Sequence, residues 1–187
     1  MVCRFAINSK LPVFTFRFAP EGDNPFGKIQ ISEGESTKVI QTLGYPRNNP
    51  KDGSFLPDPP KILQPVDADF DGYKDLPLLL QCGGVGNCTY DFYLYDPATN
   101  RFVYNSFLSD VTMPMFDPQK KTVTSYYHGG ACNSGHATYQ YRNGQYVLIE
   151  KEESTSDNAN DICTDKTYEL RDGKMKLTKC VGDCPKE

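Results

Sequence analysis

Hydrophobic and polar residues alternate one by one along much of this chain, which is the spacing of a half-buried β-strand. Phenylalanines occupy every second position over 14–18, and isoleucines do so at 29 and 31. Aromatic and leucine side chains repeat the alternation over 90–95. Helical spacing is nearly absent, and only 36–43 fits either a helix or a strand. The pattern therefore predicts an all-β, mostly antiparallel protein.

Short turn signals divide the predicted strands into hairpins. Asn143-Gly144 and Asp172-Gly173 each stand between two strand-like segments. Both dipeptides favour the left-handed backbone that a tight antiparallel hairpin requires. A strand end, an Asp-Pro turn and a new strand also occur twice, at Asp96 and at Asp117. Hairpins at such an interval are typical of a meander or of the blades of a small β-propeller.

The segment 67–75, D-A-D-F-D-G-Y-K-D, carries the strongest chemical signal. Its carboxylates alternate with other residues, and Gly72 permits a sharp turn among them. This spacing wraps hard oxygen ligands around Ca²⁺. The predicted ligands are four acidic side chains and one backbone carbonyl, at Asp67, Asp69, Asp71, Tyr73 (carbonyl) and Asp75. The alternative is a solvated acidic turn without a metal.

This acidic loop differs from an EF-hand in two respects. The twelfth loop position, where an EF-hand has a bidentate Glu, is Leu78. The segment that follows, 76–80, contains a proline within a short apolar run, which suits a buried strand rather than a helix. We therefore expect a structural calcium loop that is flanked by strands.

Seven cysteines are present, and their spacing favours disulfides. The candidates lie beside predicted hairpins, at Cys82, Cys88, Cys132, Cys163, Cys180 and Cys184. Cys3 is the predicted leftover thiol. A zinc site is the alternative reading of Cys180-x3-Cys184, but the chain has only two histidines and no second close cysteine pair to complete it. Disulfides imply an oxidising compartment, where a weak calcium loop is also useful.

Length and charge exclude several classes of protein. The chain has 187 residues, which fits a single β domain over 1–187. Its formal charge is −4, with no basic stretch that would suit nucleic acid. No apolar run approaches the roughly 20 residues of a transmembrane helix. The amino terminus lacks the apolar centre of a signal peptide, so we expect that a signal was removed or never existed, and the cysteines favour removal.

Four segments together resemble a bacterial envelope family, namely 67–76, 94–102, 116–118 and 144–149. Its members look like small β-propeller-type proteins with an FG-GAP/VCBS-like calcium loop. The best-understood are immunity proteins that neutralise lysozyme-like effectors of a bacterial secretion system, and they are similar to periplasmic inhibitors of i-type lysozyme. The resemblance implies a propeller-like meander, periplasmic or tethered to the envelope through a possible lipid anchor, with a cell-wall hydrolase as its protein partner.

Inhibitors of that kind insert a loop with a Ser-Gly-x-x-Tyr motif into the active site of the enzyme. Here 126–139 is the corresponding loop, and its Ser-Gly-x-x-x-Tyr is one residue longer. The resemblance implies partner-binding residues along this loop, at Tyr126, Tyr127, His128, Ser134, Gly135, His136 and Tyr139. Cys132 is expected to brace the loop. The alternative is that the glycines make an ordinary turn and that Tyr139 faces the core.

Two other functions compete with inhibition. A catalytic role is not expected, because carboxylates gathered around a cation are poor general acids and no nucleophile motif is present. A calcium-stabilised extracellular module that binds glycan or protein differs from an inhibitor only in what the loop contacts. The sequence therefore predicts a calcium-stabilised inhibitor of a lysozyme-like hydrolase, with the binding module as the alternative.

Overall fold

The structure is a computed structural model that describes residues 2–22, 24–44, 63–157 and 162–184. The chain divides into two compact units, Met1–Cys82 with Cys88–Asp110, and Gly83–Asn87 with Val111–Glu187. The single β domain expected over 1–187 stays a prediction, because a division by contacts does not report whether both units unfold together.

Over its described residues, the first unit contains two antiparallel sheets and one short helix. The four strands of its first sheet lie in chain order: β1 (Val2–Phe5), β2 (Phe14–Glu21), β3 (Asn24–Glu33) and β4 (Gln41–Gly44). The second sheet has three strands: β5 (Leu76–Cys82), β6 (Cys88–Asp96) and β7 (Arg101–Tyr104). Helix α1 (Ser106–Ser109) follows, and Asn105 caps it by accepting a hydrogen bond from the Leu108 N–H.

The second unit is built on one antiparallel sheet of six strands, again in chain order. Its strands are β8 (Met115–Asp117), β9 (Thr122–Gly130), β10 (Asn133–Arg142), β11 (Gln145–Asp157), β12 (Ile162–Arg171) and β13 (Lys174–Val181). The predicted all-β antiparallel meander is therefore confirmed. The ambiguous segment 36–43 forms no helix, since β4 begins within it.

Alternating apolar residues form the core of the first unit, as the sequence pattern predicts. Phe14 and Phe16 of β2 are fully buried, and Phe18 is nearly so. Phe16 and Phe18 lie directly opposite Ile31 and Ile29 of β3, which are also fully buried. Each such side chain contributes about 1.5–3 kcal/mol on burial. The hydrophobic effect thus fixes the register of β2 against β3, since a slip by one residue would expose the whole set.

The predicted turns are present in the structure. Asn143 and Gly144 both have positive φ, at 50° and 79°, and so do Asp172 and Gly173, at 53° and 75°. These dihedrals suit the tight two-residue hairpins between β10 and β11 and between β12 and β13.

The two Asp-Pro turns share one geometry. In each, the aspartate side chain (Asp96 or Asp117) accepts a hydrogen bond from the backbone N–H two residues later, at 2.9 and 3.0 Å. The residue before the following strand has positive φ in both, 55° at Asn100 and 52° at Lys121. The internal repeat seen in the sequence is therefore a repeated turn.

Three disulfides involve all six predicted cysteines. Cys82 pairs with Cys88 across the β5–β6 hairpin, and Cys180 pairs with Cys184 at the end of β13. The third joins Cys132 to Cys163, so it ties the β9–β10 turn to β12 rather than closing the carboxyl-terminal hairpin of 163–184 on itself.

The remaining thiol also matches expectation. Cys3 is the free cysteine, as predicted, and it is partly buried. Three disulfides indicate an exported protein, since such bonds persist in oxidising compartments. Within the described residues, no helix is long and apolar enough to span a bilayer.

Removal of the Cys132–Cys163 bond should destabilise the protein more than removal of the Cys180–Cys184 bond. Their sequence separations are 31 and 4 residues. Loop-closure entropy then predicts losses of about 4 and about 2 kcal/mol in the free energy of unfolding. Urea denaturation of the two double Cys→Ala variants measures both, and equal losses would contradict the entropic account.

Candidate functional site

The acidic loop 67–75 is closed at its base by backbone pairing. The Asp75 N–H donates to the Val66 carbonyl at 2.6 Å, and the Val66 N–H donates back at 3.3 Å. Two further bonds tie the loop to the segment before β2, from the Asn8 side chain to the Gly72 carbonyl and from the Lys74 N–H to the Ile7 carbonyl, both 2.8 Å. The loop is thus a fixed part of the first unit.

Three of the predicted ligands lie together. One carboxylate oxygen from each of Asp67, Asp69 and Asp71 lies within 4.8 Å of the others. Backbone N–H groups orient two of these side chains. Asp67 accepts from the Asp71 and Gly72 N–H groups at 3.0 Å, and Asp71 accepts from the Tyr73 N–H at 2.8 Å. The turn that brings them together has positive φ at Phe70 (62°) and Gly72 (92°).

Asp69 has the least compensated carboxylate of the three. Its Oδ1 atom is buried without a hydrogen-bond partner. Burial first, and then the charges of Asp71 and Asp67, raise the pKa of Asp69 to about 6. A divalent cation among these oxygens would satisfy the orphaned atom and relieve the repulsion. The donor set, made of hard oxygens only, fits Ca²⁺.

Asp75 has a different environment from the other three aspartates. It is 1% exposed and lies outside their group. Its Oδ2 accepts from the Ala68 N–H at 2.7 Å, and its Oδ1 accepts from the Tyr95 N–H at 2.9 Å. Burial raises its pKa to about 8, while the Tyr95 and Ala68 N–H groups act in the opposite direction. Asp75 holds the loop against β6, and its oxygens face backbone donors.

The second candidate site is the segment 126–139, which was expected to be a loop and is a β-hairpin. Strands β9 and β10 pair through almost all of it, with a turn at Ala131-Cys132 and a register shift after Asn133. Ser125, Tyr127 and His128 lie opposite the small residues Ala137, Gly135 and Ser134, which leaves room for the larger side chains of β9. The expected loop conformation is therefore corrected, while the segment keeps its predicted disulfide brace at Cys132.

The seven predicted partner-binding residues divide between the two faces of this hairpin. Tyr126 lies opposite His136, and His128 lies opposite Ser134, so these four side chains share one face. Tyr126 is 40% exposed and His128 is also exposed. This face presents an aromatic ring and an imidazole side by side.

The other three residues lie on the opposite face. Tyr127 is directly opposite Gly135 and is 37% exposed. A Cβ on Gly135 would clash with the Glu152 carbonyl oxygen and would lie 3.0 Å from the Tyr127 ring, so the glycine makes room for the backbone of β11 as well as for that ring. Tyr139 lies within β10 opposite the fully buried Val123 and is itself partly buried. The structure therefore brings Tyr126 and Tyr127 to the surface more than it does Tyr139.

Asn87 has a structural role beside this segment that the sequence did not reveal. Its side-chain amide donates to the His128 carbonyl at 2.8 Å, and its Oδ1 accepts from the His128 N–H at 3.0 Å. This amide satisfies the backbone of β9 as a neighbouring strand would. The Tyr126 N–H and the Ser125 hydroxyl both donate to the Thr112 carbonyl, at 3.0 and 3.2 Å. The exposed end of β9 is thereby held in place.

Three carboxylates beside the hairpin were not among the residues predicted from the sequence. Glu150 Oε1 lies 3.2 Å from His136 Nε2, and Glu152 Oε2 lies 3.7 Å from His136 Nδ1. Asp165 joins Glu152 in lining a cleft of about 240 Å³ with Tyr126. The alternating Glu150-x-Glu152 was a signal for one face of a strand, but a register shift between Thr138 and Tyr139 decides which residues of β11 lie beside His136.

No protein-family model and no curated protein sequence matches this chain. Among solved structures, one described as a Xanthomonas type IV secretion system related protein is similar to it. That match has a TM-score of 0.58 and 20% sequence identity, and it covers 94% of this chain and 93% of the other. The two proteins therefore share a fold over nearly their whole length.

Replacing Asp69 with Asn should remove a calcium-dependent part of the stability. We expect the melting temperature of the wild-type protein to rise with calcium and to fall with chelator. Free calcium at about 100 times its dissociation constant should raise the free energy of unfolding by about 2.7 kcal/mol. Asp69→Asn should make the melting temperature insensitive to both additions, as measured by calorimetry.

Asp96→Asn is the matched control, because this aspartate caps a turn of the same unit without other acidic side chains in its hydrogen-bonding group. It should keep the wild-type response to calcium. A chelator response in Asp69→Asn equal to that of the wild type would disprove the metal assignment.

Proposed function

We propose that this protein is an exported, calcium-stabilised inhibitor that blocks the active site of a lysozyme-like peptidoglycan hydrolase, as an immunity protein does. The similarity in fold to a type IV secretion system related protein supports a role associated with secretion. The resemblance of the sequence to immunity proteins of lysozyme-like effectors supports the finer assignment. The protein would act in the periplasm or at the envelope, where its disulfides persist.

The observation that carries the proposal is the braced and exposed β9–β10 hairpin. Tyr126 and Tyr127 are exposed at 40% and 37%, so each face of the hairpin presents one large ring. Tyrosine buries a large rigid ring and offers a hydroxyl at a small entropic cost. Because Asn87 and the Cys132–Cys163 bond already hold the hairpin, little conformational entropy is lost on binding.

Inhibition needs no chemical step by this protein. The hairpin would enter the substrate cleft of the hydrolase and exclude the glycan strand. The Tyr126 hydroxyl can donate to a catalytic carboxylate, which glycoside hydrolases carry as a pair. The proposal assigns no catalytic residue to this chain.

Calcium has a structural part in this proposal. Asp67, Asp69 and Asp71 would hold it, with the Tyr73 carbonyl as a further ligand. The ion supplies positive charge where Asp69 Oδ1 lacks a partner. Loss of calcium would then reduce the folded fraction of the inhibitor rather than alter a contact with the enzyme.

One feature favours the alternative of a glycan- or protein-binding module. Tyr168 and Met175 line a second cleft of about 290 Å³, beside the ion pair of Lys151 and Glu153. An aromatic ring next to polar groups is a common setting for sugar binding. Retention of peptidoglycan fragments in size exclusion, without any inhibition of a hydrolase, would favour this module.

Stoichiometric inhibition is the direct test of the proposed function. In the presence of calcium, the purified protein should suppress cell-wall lysis by at least one enzyme of a panel of goose-, chicken-, invertebrate- and chitinase-like lysozymes. Turbidity measures the lysis, and the end point should fall at one inhibitor per enzyme. No suppression across the panel would contradict the proposal.

Tyr126→Ala should weaken that inhibition strongly. A buried interface tyrosine typically contributes at least about 2 kcal/mol, which corresponds to an increase of about 30-fold in the inhibition constant. Tyr104→Ala is the matched control, because Tyr104 is 51% exposed but belongs to the first unit. Equal effects of the two substitutions on inhibition would show that the hydrolase does not contact the hairpin at Tyr126.

A further inference from the structure

The cleft beside the hairpin lies on a single face of the six-stranded sheet. Tyr126, His136 and Glu152 form one row across β9, β10 and β11, because each lies opposite the next. Ser154 and Asp165 form part of the neighbouring row. The volume of the cleft is about 240 Å³, which is below the ~300–1,000 Å³ of pockets for whole small molecules. Its size therefore suits one side chain of a partner.

The charge of the cleft is negative. Glu152 and Asp165 are both exposed and line it, and His136 is the basic group among the lining residues. Both nitrogens of that imidazole already face glutamates, Glu150 at 3.2 Å and Glu152 at 3.7 Å. An approaching group must therefore be cationic to gain from these carboxylates.

Two basic side chains of the same strands are engaged elsewhere. Lys151 pairs with Glu153, and adjacent residues in a strand point to the opposite face from Glu152. Arg171 Nη2 pairs with Glu169 Oε2 at 2.9 Å. Neither cation lines the cleft. The carboxylates of the cleft are thus available to an external cation.

The shape of the cleft distinguishes between the possible cations. Tyr126 forms an aromatic wall, and Glu152 and Asp165 come from neighbouring strands in diagonal positions of the ladder. A guanidinium is planar, stacks on aromatic rings and donates several hydrogen bonds in a fixed fork. An ammonium is a strongly hydrated point charge that gains less from such an arrangement.

We propose that this cleft binds an arginine side chain of the partner protein. The proposal rests on the proposed function in one respect, that the occupant belongs to a protein partner. The guanidinium stacks on Tyr126 and donates to Glu152 and Asp165, while Ser154 offers a further acceptor. The cleft then fixes the orientation in which the hairpin meets its partner.

A nuclear magnetic resonance titration of the whole protein, in buffer that contains calcium, tests the cleft directly. The probe is Nα-acetyl-arginine amide, and Nα-acetyl-citrulline amide is its neutral counterpart of the same shape. The arginine probe should shift the amide signals of Tyr126, His136 and Asp165 with a dissociation constant on the order of millimolar, as befits one side chain. The citrulline probe should bind at least about fivefold more weakly.

Glu152→Gln combined with Asp165→Asn should weaken arginine binding by about three- to tenfold. Both positions are exposed, so the fold should persist, and the dispersion of the amide spectrum verifies it. Glu169→Gln is the control, because it neutralises a carboxylate of β12 that does not line the cleft, and it should leave arginine binding unchanged.

Equal shifts with citrulline, no shifts with arginine, or undiminished binding in the double variant would each overturn the inference. The result is independent of any hydrolase. Arginine binding by a protein that inhibits nothing would support the cleft and overturn the proposed function. Inhibition of a hydrolase together with any of those three titration results would support the proposed function and overturn the arginine cleft.

Discussion

The buried carboxylate of Asp75 is the constraint on which the first unit depends. It accepts the N–H of Ala68 in the acidic loop and the N–H of Tyr95 in β6. Removing either acceptor would leave a buried backbone donor without a partner, which costs about 1–3 kcal/mol. Tyr95 in turn packs against Phe14 and Phe102, with ring centroids 5.9 and 5.4 Å apart. One side chain thus fixes the loop relative to the aromatic core.

The second unit is stabilised in a different way. Among its described apolar residues, Val111 and Val123 are the ones that are almost fully buried. Much of its six-stranded sheet therefore depends on the backbone ladder, on cross-strand pairs and on disulfides. A sheet with two accessible faces is costly for stability but offers a large surface for recognition. This is the unit that carries the hairpin and the acidic cleft.

Local patterns in the sequence predicted much of the fold. The alternating phenylalanines of β2, the apolar run of β5 and the two glycine turns all have a physical reason that acts within ten residues. The hairpin of 126–139 was misread as a loop, because its glycines and histidines resemble turn residues, although β9 and β10 pair with each other through most of it. The roles of Asn87 and Asp165 depend instead on contacts with residues that are distant in sequence.

The calcium loop shows the same limit at smaller scale. The spacing of Asp67, Asp69 and Asp71 brings their carboxylates together because alternate positions of a tight turn converge. The pattern alone could not separate Asp75 from them, because its role depends on the N–H of Tyr95, which lies 20 residues away. A site whose residues are close in sequence can be predicted from the sequence, whereas one that long-range folding assembles cannot.

Amide hydrogen exchange of this protein, alone and with an inhibited hydrolase, tests the central claim most directly. The account predicts that binding slows exchange in 126–136 and in the facing part of β11, while the acidic loop changes little. Slowed exchange confined to the first unit or to the β13 edge, with the hairpin unaffected, would contradict it.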